Sequence, residues 1–279
     1  NLTAKDMPNA LTVIAMGPKG SLLNAPDVYM EKLAYGSRYK KNFISLEMSP
    51  TERIEKLAQA KGCNPRDLMV CVLERPRHQN LIEEIRATGA RLRLITDGDV
   101  AGVIHCANTE KTGVDIYMGS GGAPEGVLAA AALKCVGGNI QGKLIFRNET
   151  EKNRAIKTGI QDFNKIYSLD DMVTKDVIFA ATGVTDGSIL RGAKWDGNVL
   201  DLEKEEQHLI NIPYEYYHEN IKAVLISFSM PNKDGLSIMK ELRNISALPE
   251  FIIFSLSLIH ISEPTRQAEI SYAGFCLKK

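Results

Sequence analysis

The apolar positions along the chain change period several times, and each change marks an element. Residues 10–16 (ALTVIAM) form a continuous β-type run, and the following GPKG reads as a turn into SLLNAP, which predicts a hairpin. Ser49-Pro50-Thr51-Glu52 is a capping box with proline at the first helical position. Ile54, Leu57 and Ala58 then recur at helical spacing until Gly62, so a helix is expected there. Strand and helix patterns alternate after it: LMVCVL as strand, HQNLIEEIRATG as a helix closed by Gly89, RLRLI as strand, DVAGVIHCAN as helix, VDIYMGS as strand, and a helix over 123–136. DVIFAATGVTDGSILRGAKWDG adds a strand, a glycine-containing turn and a partner strand. Short-spaced alternation of this kind predicts an α/β layered domain whose strand ends and helix starts meet on one edge. The chemistry is expected in those turns.

After Asn198 the texture changes to a charged run (201–206), a tyrosine cluster (Tyr214, Tyr216, Tyr217) and IKAVLISFSMPNKDGLSIMKELR, which puts a boundary near 199. Before it there is no internal repeat and no low-complexity linker.

Composition narrows the class. With 279 residues, 44% hydrophobic and 24% charged, the chain is of globular type, and disordered and fibrous classes are set aside. Thirty-four basic side chains balance 34 acidic ones, so no global field draws nucleic acid or an anionic membrane, and an anionic ligand must be held by a local cluster. Five cysteines (Cys63, Cys71, Cys106, Cys135, Cys276) form no CxxC pair, and four lie in apolar runs. They read as reduced thiols of a cytoplasmic protein rather than disulfides or zinc ligands. No apolar run reaches the roughly 18 residues a membrane helix needs, and the start carries no signal-peptide pattern.

Three turns carry residues suited to chemistry. Arg75-Pro76-Arg77-His78 ends a β-run and opens a helix, bringing two guanidinium groups to unsatisfied backbone N–H groups; it suits a phosphate, or is a solvated basic turn. Asp97-Gly98-Asp99 offers two carboxylates for sugar hydroxyls or a hard cation, or merely a helix cap. Gly119-Ser120-Gly121-Gly122-Ala123-Pro124-Glu125-Gly126 allows close backbone approach and sets Glu125 in the first helical turn, as a dipole partner or a metal ligand beside a phosphate cradle. Neither GxxxxGK[ST] nor GxGxxG is present, which disfavours nucleotide binding. His78 adjoins the arginine turn, His105 reads as structural, and no histidine pair has zinc spacing.

These turns resemble those of the class II fructose-1,6-bisphosphatases. NALTVIAMGPKGSLLNAPDVYMEKL, ERPRH, ITDGDVAGVI, GSGGAPEGVLAAAALKCVGGNIQGKL and DVIFAATGVTDGSILRG occur in that family's order and at similar spacing over residues 9–198. The resemblance implies the layered α/β sugar-phosphatase fold shared with inositol monophosphatases. It also implies hydrolysis of the 1-phosphate of fructose 1,6-bisphosphate with Mn2+ or Mg2+, in some relatives also of sedoheptulose 1,7-bisphosphate, by a cytoplasmic homo-oligomer with no nucleic-acid or membrane partner. Carried over by position, Glu125 is the implied metal ligand, and Tyr29, Arg75, Pro76, Arg77, Asp97, Gly98, Asp99 and Gly122 are the implied substrate set. Lysine often stands in the family where this chain has Arg75.

The two ends depart from the family pattern. The family's other metal carboxylates and the threonine of its Asp-Pro-x-x-Gly-Thr loop lie N-terminal to NALTVIAMG, and by spacing that loop would end just before Asn1. The catalytic residues are therefore expected upstream of Asn1, the fold is expected to be incomplete at its N-terminus, and the 279-residue chain is expected to be inactive. A noncatalytic sugar-phosphate binding module is the alternative reading. The domain expectation is 1–198 for the phosphatase part, 199–256 for a segment resembling a fragment of a response-regulator receiver domain, and 257–279 for a non-native tail. In the receiver-like segment Ser227 stands where a phosphate-accepting aspartate would be. SLIHISEPTR and ISYAGFCLKK resemble a translated sequencing adapter.

Overall fold

A computed structural model of the chain describes residues 2, 5, 7–192, 194–196 and 199–201. Asn1, the position upstream of which the catalytic residues are expected, lies outside the described residues. So do the receiver-like and adapter-like stretches, apart from the strand at 199–201.

The helix expected after Ser49 forms as read, and its ends show why. In α1 (Pro50–Lys61) the Ser49 hydroxyl accepts from the Glu52 amide at 3.2 Å, the Glu52 carboxylate accepts from the Ser49 amide at 2.7 Å, and Gly62 closes the helix at φ 70°. Ile54, Leu57 and Ala58 are its buried face.

The rest of the domain follows the alternation. β3 (Met69–Leu73), α2 (Gln79–Ala87), β4 (Arg91–Ile95), α3 (Asp99–His105), β5 (Ile116–Gly122) and α5 (Ala123–Val136) succeed one another, with a short α4 (Thr109–Thr112) before β5. To these are added β2 (Tyr29–Tyr35), β6 (Asn139–Ile145), α6 (Glu149–Lys157), β7 (Ile166–Ser168) and α7 (Leu169–Met172). The six-stranded sheet has the order β4-β3-β5-β2-β6-β7; β3, β4 and β5 run parallel, and β2 is antiparallel to both β5 and β6. Consequently β3, β4, β5 and β6 end, and β2 begins, on a single edge.

The side chains divide by strand alternation. Leu33, Tyr35, Val70, Val72, Ile116 and Met118 pack with Ile54, Leu57, Ile82 and Ile85 of α1 and α2 on one face. Met30, Ala34, Cys71, Tyr117, Ile140 and Leu144 pack with α3, α5 and α7 on the other. Beyond α5 lies a two-stranded ribbon of β1 (Leu11–Met16) and β8 (Ile178–Gly183). Because α5 is covered by sheet and ribbon, it is buried nearly all round, which its alanine run permits.

Two local expectations are corrected. β1 forms no hairpin with SLLNAP: Gly20, at φ 77°, turns the chain into a single bridge, Leu22 to Val173, and β1 pairs with β8 along its whole length. Likewise β8 has no downstream partner among the described residues; β9 (Lys194–Asp196) pairs instead with β10 (Val199–Asp201). Cys71 and Cys106 are buried, Cys63 and Cys135 are half-buried, and all four are unpaired; Cys276 lies outside the described residues. No helix among the described residues is long and apolar enough to cross a membrane.

Candidate functional site

The shared edge gathers every turn that the sequence singled out. Tyr29, the first residue of β2, is the backbone partner of Gly122, the last of β5, and of Ile145, the last of β6. Arg75 to His78 follow β3 as a single 3-10 turn, with Pro76 supplying a fixed φ where no N–H is needed. Asp97 and Gly98 follow β4, where Gly98 adopts φ 78° to start α3 and Asp97 Oδ1 accepts from its amide at 3.0 Å.

Arg77 is held in a fixed direction. Its Nε donates to Ser120 Oγ at 3.0 Å and its Nη2 to Ser120 O at 2.7 Å, and its guanidinium carbon lies 4.8 Å from the Tyr29 ring centroid. It makes no ion pair among the described residues, so an exposed positive charge faces the edge. Arg75 is engaged differently: Nη1 donates to Glu74 O at 2.9 Å, Nη2 lies 3.9 Å from Asp97 Oδ1, and the side chain lines an open cleft with Gln79, Ile82, Arg86 and Leu94.

Two further residues position this set: His78, which the sequence places beside the arginine turn without a role, and Lys32, which it does not single out. His78 is buried; its Nδ1 lies 2.7 Å from Leu73 O, and its Nε2 accepts from the Ser120 amide at 2.8 Å. That pattern puts the proton on Nδ1 and ties the arginine turn to the glycine-rich strand. Gly119 bends beside the ring at φ 147°, and a side chain there would press on the imidazole. Lys32 is the second. Its side chain is 0% exposed, and its Nζ lies 2.5 Å from Asp99 Oδ2, underneath Gly121. A Cβ at Gly121 would overlap the Asp99 carboxylate, so the glycine lets Asp99 lie against the strand. The signal for Lys32 was a lysine at an inward position of YMEKLAY, legible only once that segment is known to be a strand.

The start of α5 is less of an anion cradle than the sequence suggests. The Ala123 amide donates to Val28 O at 2.9 Å and Pro124 has no N–H, so the helix start offers little beyond the Glu125 amide. Glu125 is exposed, and its carboxylate folds back over Gly122, where any Cβ would collide with it. Among the described residues no three His, Cys, Asp or Glu side chains come together as a metal centre. Glu125 can contribute one oxygen ligand, which does not amount to a site.

Burial lowers the pKa of His78, with the hydrogen bond to Leu73 opposing the shift and the charges of Arg77 and Arg75 adding to it. Burial, then Arg93, lowers that of His105. Unfolded histidine titrates near 6.5. Below that pH the unfolded chain takes up protons that the folded one refuses, so stability is lost as pH falls from about 6.5 toward the lower folded values. Thermal midpoints should be level between about pH 7 and 8 and decline from about 6.5 to 5. The variant His78→Asn/His105→Asn should flatten that limb, and an unchanged slope would show that neither imidazole is responsible.

Comparison with known proteins gives a consistent picture. A family model described as bacterial fructose-1,6-bisphosphatase, glpX-encoded, matches residues 1–204. A D-fructose 1,6-bisphosphatase class 2/sedoheptulose 1,7-bisphosphatase of Synechococcus sp. (strain JA-3-3Ab) is 40% identical over 210 residues, covering 71% of this chain and 60% of the relative. A fructose-1,6-bisphosphatase class 2 of Haemophilus influenzae (strain ATCC 51907 / DSM 11121 / KW20 / Rd) is 40% identical over 217 residues, covering 73% of this chain and 64% of the relative. The chain thus spans about 60% of the length of the curated relatives it matches.

Proposed function

The chain belongs to the bacterial, glpX-encoded fructose-1,6-bisphosphatase family, and from that premise we propose that its described edge is the sugar-phosphate part of a phosphatase site acting on the 1-phosphate of fructose 1,6-bisphosphate. Sedoheptulose 1,7-bisphosphate, which names the Synechococcus relative, is the second substrate proposed. The family's enzymes are metal-dependent, and Mn2+ or Mg2+ is the proposed ion. The reading includes a cytoplasmic homo-oligomer that takes no nucleic-acid or membrane partner, in keeping with the balanced charge and the unpaired cysteines.

The observation that carries this reading is the convergence of Tyr29, Arg77, Asp97, Asp99 and Gly122 on one edge. In it, Arg77 donates to phosphate oxygens through the guanidinium edge that Ser120 does not occupy. Lys32 fixes Asp99 Oδ2 and leaves Oδ1 to accept from a sugar hydroxyl. Gly122 lets the ligand approach the backbone, and Tyr29 supplies an aromatic wall. When bound, a divalent cation would orient water and stabilise charge on the phosphoryl group. Glu125 is the residue proposed to contribute to it, and because no three His, Cys, Asp or Glu side chains come together among the described residues, these do not fit a complete site. What they supply themselves is the binding and orientation of the sugar phosphate.

That shortfall favours one second reading, a module that binds sugar phosphates without turning them over. Calorimetric titration of the 279-residue chain with fructose 1,6-bisphosphate, with and without Mn2+, coupled to a phosphate-release assay, separates the two. Saturable binding with Mn2+-dependent release supports hydrolysis, and binding without release supports the module. No binding in either condition would overturn the assignment of this edge.

A further inference from the structure

We propose that Arg147, in the turn after β6, completes a two-arginine phosphate clamp with Arg77 across the ring of Tyr29. The inference rests on the sugar-bisphosphate reading above and adds to it a residue that the motifs did not contain. The guanidinium carbons of Arg77 and Arg147 lie 4.8 and 5.0 Å from the same ring centroid. They reach it from different elements, since in the strand order β3-β5-β2-β6 one follows β3 and the other β6.

Two cations at one ring repel each other, and the aromatic face offsets this only in part. The arrangement is nonetheless built rather than incidental. Glu151, fully buried, accepts from Arg147 Nε at 2.7 Å and from its Nη2, and its second oxygen accepts from the Arg147 amide at 2.8 Å. Asn148 caps the same helix start by accepting from the Glu151 amide at 2.9 Å. Glu151 therefore occupies the side edge of the guanidinium, formed by Nε and one Nη2 hydrogen. The end edge, Nη1 with the other Nη2 hydrogen, is left for a ligand.

Arg77 repeats the pattern, because Ser120 takes its Nε and Nη2 donors. Both side chains are exposed, and a carboxylate offsets the charge of Arg147 alone among the two. Two preoriented forks carrying a surplus positive charge match a phosphate monoester dianion, whose oxygens accept from both. The occupant is accordingly one phosphate group of a sugar bisphosphate.

The test is calorimetric titration of fructose 1,6-bisphosphate into the full chain and two variants, with the thermal midpoint recorded for each. Arg147→Lys keeps a charge for Glu151 but lacks the fork, and should stay folded, with a midpoint lowered by the lost second donation to Glu151, and bind about tenfold more weakly. Arg147→Met/Glu151→Met removes both charges together, so no buried carboxylate is stranded, and should bind at least about tenfold more weakly. Wild-type affinity in both variants, while Arg77→Ala loses binding, would overturn the clamp and leave the sugar-phosphate reading intact. If the unmodified chain itself does not bind, both fall.

Discussion

Replacing Lys32 by methionine should destabilise the domain by about 3–5 kcal/mol, among the larger single effects available in this structure. The ammonium is 0% exposed and the Asp99 carboxylate 12% exposed, so removing one leaves the other charged in a place that water barely reaches. Methionine nearly conserves the volume of the lysine stem, which packs against Gly126, so a cavity is not the cause. The companion variant Lys32→Met/Asp99→Asn removes both charges and should recover most of the loss, as paired removal of a buried ion pair usually does. Urea titrations at constant m-value measure both. A single-variant loss under about 1 kcal/mol would mean that the pair behaves as a surface ion pair. The double variant carries a second prediction: folded but without the Asp99 carboxylate, it should bind fructose 1,6-bisphosphate more weakly than the parent.

Lys32 also shows where the sequence stopped being informative. Helices α1, α2, α3 and α5 and the parallel strands announced themselves through local devices: the capping box at Ser49, the apolar run MVCVL, the proline inside the start of α5. The central strand β2 did not, because YMEKLAY places Glu31 and Lys32 at its middle, and a charged pair there breaks the apolar pattern of a buried strand. Its neighbour β6 was hidden by Gly142, which reads as a breaker. In the folded sheet that glycine makes room for the sulfur of Met30, a reason found only in the partner strand. The pairing of β1 with β8 spans most of the domain and leaves no trace in either segment, so a hairpin was the natural local reading.

The site divides in the same way. Residues on turns were legible, since glycine, proline, arginine and aspartate between periodic segments stand out: Arg77, Asp97, Asp99 and Gly122 do meet at one edge. Residues that hold those turns in place were not. His78 looked like a bystander of the arginine turn, and its contact with Ser120 depends on β3 and β5 being neighbours. Arg147 follows an unrecognised strand and precedes an unrecognised helix. What a local motif encodes is donor chemistry; what it omits is the sheet order that decides which donors share a ligand.

Arg77→Ala should reduce affinity for fructose 1,6-bisphosphate at least about 100-fold, which corresponds to about 2.8 kcal/mol. The size follows from its surroundings. Hydrogen bonds from a charged donor contribute about 1.5–3 kcal/mol each, and Arg77 has no carboxylate partner among the described residues to dilute its attraction for an anion. Arg75 supplies the internal contrast: with Asp97 Oδ1 3.9 Å away and Glu74 O accepting from it, Arg75→Ala should cost several-fold less. Arg77→Lys keeps the charge but cannot hold Ser120 and a phosphate through separate edges, so its loss should fall between wild type and alanine. Ser120→Ala removes one of the two contacts that aim the guanidinium and should weaken binding less than any change at Arg77 itself, while the backbone carbonyl still holds Nη2. Because Arg77 is exposed, the thermal midpoint of Arg77→Ala should stay close to that of the parent, which separates lost recognition from lost folding. An alanine variant that binds within about threefold of the parent would remove Arg77 from the phosphate site, and with it the reason for assigning Tyr29 and Ser120 to the same ligand.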